Sequence, residues 1–237
     1  MPDTGNELIA SLPRADRSRL LTLCEPVHLQ LSQVLGQVGQ ATRYAYFPTE
    51  SFISLIAEVD VHHGLEVGMA GREGMLGVQL ALGVARDPLK ALVQGAGMAW
   101  RVAAGPFRRE LLRSAALRHR LQRYLCVLME QRANSAACLR FHEIGPRLSR
   151  WLLMSQDRAH SNEFPMTQEF VATMLGVRRV GVTAAAGALQ RLGLIEYHRG
   201  ALTVLDRPGL EAASCSCYAA GERAYQQIMG RTVHLGR

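Results

Sequence analysis

Residues Met166–Leu205 read MTQEFVATMLGVRRVGVTAAAGALQRLGLIEYHRGALTVL, and this stretch decides the fold. Thr167 is placed to cap a short helix in which Val171 and Leu175 form an apolar stripe and Ala172 keeps that face thin. Gly176 ends it, and suits the left-handed turn between two helices because a Cβ is penalised in that conformation. A second helix is expected from about Arg178. Its buried face would be Val182, Ala185, Ala186 and Leu189, which turns Arg178, Arg179, Thr183 and Ala184 the other way. Gly181 and Gly187 each cost this helix about 1 kcal/mol relative to alanine, so packing must compensate. After Gly193, Leu194–Tyr197 and Ala201–Leu205 alternate as two strands joined by His198-Arg199-Gly200, a hairpin with a basic tip. Two helices and such a hairpin make a winged helix-turn-helix.

On the N-terminal side of this unit, Gly145-Pro146 marks a hinge, and Arg147–Leu153 opens a helix with Leu148, Trp151 and Leu152 facing inward. On the C-terminal side, Pro208-Gly209 starts a tail, Leu210 to Met229, that reads as helical with Tyr218 and Tyr225 on one side. From Pro106 the pattern is helical for a long way: Leu117, Leu121, Tyr124 and Leu128 recur at intervals of four and three, and Ser135, Ala136 and Leu139 continue the seam. Self-association as a two-stranded coil would bury that seam, with Ala133, Ser135, Ala136 and Ala137 letting two backbones approach. Packing of the helix on its own domain is the alternative. Arg118, Arg120 and Arg123 are expected on a solvated face.

The first 40 residues start polar and then carry Leu8, Ile9, Leu12, Leu20, Leu21 and Leu23 at helix-like intervals broken by Pro13. From Gln30 the character is β. Short segments around Val34-Leu35, Arg43–Phe47, Phe52–Ala57, Leu65–Met69, Leu89–Gln94 and Met98–Val102 are spaced like the strands of a small roll. Val59–His62 and Leu65–Met69 around His63-Gly64 form the clearest hairpin expectation. Adjacent strand residues point to opposite faces, so His62 and His63 read as turn residues rather than ligands of one ion. The loop Gly71–Gly77, GREGMLG, is glycine-dense around a charged pair, and its backbone amides could face an anion. The fold class is α+β: a jelly-roll-like N-terminal β-roll over 1–108, a dimerisation helix over 109–140 and a winged helix-turn-helix domain over 141–237.

The 237 residues are 48% hydrophobic with a formal net charge of +7, enough for two compact domains. The charge is segregated: −3 over 1–100, +7 over 101–140 and +3 over 141–237. A neutral-to-acidic first half followed by basic parts suits a sensor joined to a polyphosphate-binding unit. No apolar run approaches the roughly 20 residues that span a bilayer, and the N-terminal residues are not signal-like, so a cytoplasmic location and no membrane contact are expected. Cys24, Cys126, Cys138, Cys215 and Cys217 form no paired framework, which points to a reducing compartment. Cys215-Ser-Cys217 is the one close pair. Without two further ligands in sequence reach it predicts no metal site. No serine, cysteine or carboxylate sits in a catalytic motif, so no enzyme activity and no cofactor are expected.

The order of roll, long helix and winged helix, together with GREGMLG, RLSRWLL, MTQEFVATMLGVRR and LGLIEYHRG, resembles the Crp/Fnr family of bacterial transcription regulators. The resemblance covers nearly the whole chain. It implies a homodimer joined through the 109–140 helix, an N-terminal effector domain, two reading helices about one turn apart on palindromic double-stranded DNA, and RNA polymerase as a further partner. Arg179 matches the position of a base-reading arginine, with Arg178 and Thr183 next, since arginine donates two hydrogen bonds to guanine. Thr167, Gln168, His198 and Arg199 are expected on the DNA backbone. Gly71, Arg72, Glu73, Gly74 and Lys90 stand where the effector pocket would be. Cyclic-nucleotide-binding members place a phosphate-holding arginine where this chain has Leu89-Lys90-Ala91, so the effector is expected not to be cyclic AMP. Its identity is open. A redox- or metal-responsive regulator of the same fold, using Cys215 and Cys217, is the alternative.

Overall fold

The computed structural model describes residues 4–59, 64–159, 161–198 and 200–230. Two short helices open it, α1 (Glu7–Ala10) and α2 (Arg14–Leu23). Asn6 caps the first by accepting from the Ile9 N–H at 3.2 Å, and Pro13 separates the two. Leu8, Ile9, Leu12 and Leu20 are buried, as their spacing predicts.

The β-roll consists of two antiparallel sheets. One contains β1 (Glu25–Leu29), β7 (Gly97–Ala103) and β3 (Tyr44–Pro48), in that spatial order. The other runs β2 (Val34–Gly36), β6 (Lys90–Gly95), β4 (Phe52–Glu58) and β5 (Gly64–Ala70). Leu29, Tyr46 and Ala99 of the first sheet meet Ile53, Leu55, Ala91 and Val93 of the second in one apolar cluster. The β structure starts five residues before Gln30. That first strand is short and mostly exposed, turns only Val27 and Leu29 to the core, and holds Pro26 at an edge position where a missing N–H is tolerated. β4 pairs with β5 from Ile53↔Ala70 to Glu58↔Gly64, and of the expected first arm Val59–His62 only Val59 is among the described residues. Val59 is a bend, and His62 and His63 lie outside the described residues.

The helical run after the roll is interrupted. Helix α3 (Ala104–Arg113) ends at Ser114, whose extended backbone and side chain cap α4 (Ala115–Phe141) through the Leu117 N–H at 3.0 Å. Arg118 turns back and donates to the terminal carbonyls of Leu111 and Leu112, at 2.6 and 3.1 Å. Arg118, Arg120 and Arg123 are half-buried, not a fully solvated face.

The apolar seam of α4 does not face a second copy. Leu117, Leu121, Tyr124 and Leu128 are buried against Phe47, Met75, Val102 and Phe107 of the same chain. The roll exposes apolar side chains at the strand ends and the following 3-10 turn (Val78–Leu82), and the seam covers them. On the other face, Gln122, Cys126, Met129, Ala133, Ala136 and Arg140 are exposed, and their spacing alternates four and three. That is the periodicity of a coiled-coil seam.

The chain bends at His142-Glu143, and α5 (Ile144–Ala159) begins before the expected hinge. Pro146 sits in the first turn of α5, where its missing N–H costs no helical bond. After the three-stranded sheet of the C-terminal unit come α8 (Arg207–Ala213) and α9 (Cys217–Met229), two helices in place of one tail. Helix α9 lies along α4, and Tyr225 donates to the Glu73 carbonyl at 2.9 Å. No helix among the described residues is long and apolar enough to cross a membrane.

Candidate nucleic-acid interface

Helix α6 (Gln168–Leu175) starts where Thr167 Oγ1 accepts from the Phe170 N–H at 3.1 Å. It buries Val171, Ala172, Met174 and Leu175. Gly176 follows at φ +61° and ψ 41°, the left-handed turn predicted from the sequence. A side chain there would also come within 2.9 Å of Leu65 Cδ1 on β5. Helix α7 (Arg179–Arg191) then runs across α5 with Val182, Ala186 and Leu189 buried and Ala185 partly so. A Cβ on Gly181 would lie 2.7 Å from Ile144 Cδ1, the tip of the side chain that opens α5.

Arg178, Arg179, Thr183 and Ala184 are exposed in the first turns of α7; Ala184 faces away from the buried side, whereas Arg179 is on the line of Val182 and Ala186, three and seven residues on, and stands at the helix start. Thr183 Oγ1 donates to Gln168 Oε1 at 2.6 Å, which ties the first turn of α6 to the outward face of α7. Two guanidinium groups stand at the N-terminal turn of α7, where unpaired backbone N–H groups and the helix dipole also favour an anion. The wing is β9 (Ile195–His198) and β10 (Ala201–Val204), with β8 (Glu163–Pro165) added on the far side of β10. Sequence reading missed β8, which has three residues and a proline. Tyr197 Oη donates to the Met166 carbonyl at 2.9 Å and locks the wing to the entry of α6. His198 is exposed at the end of β9, while Arg199 lies outside the described residues. The fold therefore gathers Arg178, Arg179, Thr183, Thr167 and Gln168 along the outer side of the two helices, with His198 on the wing.

This unit is held against the roll. Trp151, Leu152, Phe164, Met166, Val171 and Leu175 share one apolar cluster with Phe52, Ile56 and Met69. At its polar edge, Glu66 accepts from Trp151 Nε1 at 3.0 Å and from Ser54 Oγ at 2.6 Å. Burial pushes the Glu66 carboxyl up to about 7, against the opposing pull of these hydrogen bonds and of Arg150 and Arg158. Arg147 donates to the carbonyl of Leu175 at the C-terminus of α6.

The GREGMLG loop is part of the same joint. Glu73 forms an ion pair with Arg158 of α5 at 2.8 Å and accepts from the Gly71 N–H at 3.2 Å. A Cβ on Gly74 would collide with the Tyr124 ring. Asn6 donates to the Gly74 carbonyl at 3.0 Å, and Glu7 N–H to that of Arg72 at 2.8 Å. Gly71, Arg72, Glu73 and Gly74 thus sit together at the meeting point of the roll with α4, α5 and α9. Lys90 is elsewhere: it pairs with Glu58 at 3.0 Å at the far end of β4 and does not line the cleft beside Arg72 and Glu73.

The sequence also left Cys215 and Cys217 without partners, and the fold supplies two. Cys138 and His142, one helical turn apart at the end of α4, lie beside them. The signal available in the sequence was their i, i+4 spacing, with nothing local to link it to residues more than seventy positions away.

Residues 146–213 match the family of Crp-like helix-turn-helix domains. No curated protein matches the chain in sequence. Solved structures match it in shape. A protein from Eubacterium rectale assigned to the Crp/Fnr family of transcriptional regulators superposes with a TM-score of 0.70 at 15% identity, over 89% of this chain and 99% of its own. The c-di-GMP-responsive global regulator of Xanthomonas campestris gives 0.65 at 14%, over 81% and 99%. A Crp/Fnr-family regulator from Thermus thermophilus gives 0.65 at 19%, over 80% and 98%. The chain carries a Crp-like helix-turn-helix domain at residues 146–213, set within the Crp/Fnr fold.

Proposed function

We propose that the protein is a sequence-specific, DNA-binding transcription regulator that reads palindromic double-stranded DNA as a homodimer. The observation that carries this reading is the start of α7, where Arg178, Arg179 and Thr183 are exposed while Val182, Ala186 and Leu189 are buried and fix the helix in place. Arg179 is assigned to base readout through a guanine edge, with Arg178 and Thr183 beside it. Thr167, Gln168, His198 and Arg199 hold the phosphate backbone and set the register of the helix. The exposed four-three stripe of α4 from Gln122 to Arg140 is the surface on which two copies meet, and its alanines allow close approach.

The joint between roll and reading unit is where control acts. An effector that alters the packing around Glu66, Glu73 and Arg158 changes how the reading helix is presented. The test is DNA selection with wild type and Arg179→Ala. Wild type should retain a defined half-site, and the variant should lose discrimination at one base pair by about 1–3 kcal/mol. Unchanged discrimination in the variant would remove Arg179 from the reading face.

A further inference from the structure

Four side chains with metal-binding chemistry converge at the bend between α4 and α5. Cys138 lies in the last turns of α4 and His142 follows at its C-cap, so the two point to one side of the helix end. Cys215 lies in the turn between α8 and α9 and Cys217 is the first residue of α9, and the Cys215 N–H is fixed to the Pro146 carbonyl at 3.3 Å. Cys138 Sγ is 3.6 Å from Cys215 Sγ, and Cys217 Sγ is 3.6 Å from His142 Nδ1. All four donor atoms lie within 4.8 Å of one another.

We propose that Cys138, His142, Cys215 and Cys217 bind a single zinc-like divalent cation in a tetrahedral Cys3His site. A tetrahedron with Zn–S near 2.3 Å and Zn–N near 2.0 Å has edges of about 3.8 Å between sulfurs and about 3.5 Å from sulfur to nitrogen. Both 3.6 Å separations are of that length. Three thiolates and an imidazole form a soft donor set that selects zinc over magnesium or calcium. The close convergence suits one ion and leaves little room for a multi-iron cluster.

Coordination balances simply. The ion arrives with two positive charges, three thiols each release a proton to solvent, and His142 gives the lone pair of Nδ1. The centre carries one net negative charge, and Arg150, which acts electrostatically on all three cysteines, offsets it. Cys138 and Cys215 are buried, whereas His142 and Cys217 are partly exposed and give the ion its way in. Once bound, the ion ties residues 138–142 to 215–217 across the start of α5. It sets the angle at which the helix-turn-helix unit leaves α4. The site stands on these four residues whether or not the chain reads DNA.

The experiment uses the full chain under reducing conditions, stripped with a chelator and titrated with Zn²⁺, and with Co²⁺ as the spectroscopic probe. One equivalent of zinc per chain is expected. Cobalt should give a sulfur-to-metal charge-transfer band and intense tetrahedral d–d bands. Cys217→Ser and His142→Ala, both at partly exposed positions, should each weaken zinc binding by at least about tenfold, the lower end of what loss of even an outer-shell partner costs. Cys24→Ser should bind zinc as wild type does. The thermal midpoint should rise with zinc in wild type and rise less in Cys217→Ser at the same zinc concentration. Substoichiometric zinc with no cobalt charge-transfer band would overturn the proposal. So would iron with labile sulfide, or zinc binding unaffected in both Cys217→Ser and His142→Ala.

Discussion

Gly176 and Arg179 stand three residues apart and answer to different physics. Gly176 is held at φ +61° with Leu65 against it, so alanine meets both backbone strain and a contact of 2.9 Å. Gly176→Ala should lower stability by more than about 1 kcal/mol in urea denaturation, because the left-handed conformation penalises any Cβ. Thr167→Ala, which removes the cap of α6, should cost about 1 kcal/mol in the same measurement. Arg179→Ala should leave stability nearly unchanged, since the side chain is exposed, and act on DNA preference alone. Gly176, the cap and the two faces of α7 were legible in the sequence because each depends on neighbours within one or two helical turns. The partners of Cys215 and the neighbour of Gly181 were not, because both are set by elements brought together over long separations.

Among the elements, α4 shows most plainly what periodicity leaves undecided. Leu117, Leu121, Tyr124 and Leu128 form a strong apolar stripe, but the sequence does not say whether the roll or a second chain covers it. The stripe packs inward, and the weaker stripe of Cys126, Met129, Ala133 and Ala136 faces solvent. Two substitutions separate the faces. On the proposed dimer, Ala133→Glu should leave only monomer in sedimentation while keeping the helix signal intact. Leu121→Ala should instead destabilise the fold by about 2–5 kcal/mol, as a cavity in a packed core does.

The joint between β5 and α5 makes a separate prediction. With its folded pKa raised from 4.5 to about 7 by burial, Glu66 keeps a proton that the unfolded chain releases. Its contribution is fully present below about pH 4.5 and is lost as pH rises through 7. The thermal midpoint of wild type should therefore decline over that interval, and Glu66→Gln should flatten the decline. Parallel curves would show that the carboxyl does not titrate there.

For the whole molecule, the fold explains why charge is segregated along the chain. The neutral-to-acidic roll carries the joint, while the basic second half carries α4 and the exposed arginines of α7. Two such molecules, joined along α4, would place two reading helices on one side of a duplex. Binding should then weaken steeply with salt, as phosphate contacts release counterions. The most direct test is selection from a randomised duplex DNA pool by the purified protein at fixed salt, with the retained sequences read out. The account predicts an enriched palindrome whose half-sites lie about one helical turn apart. Retention without sequence enrichment, or enrichment of a single unpaired half-site, would contradict dimeric reading by α7.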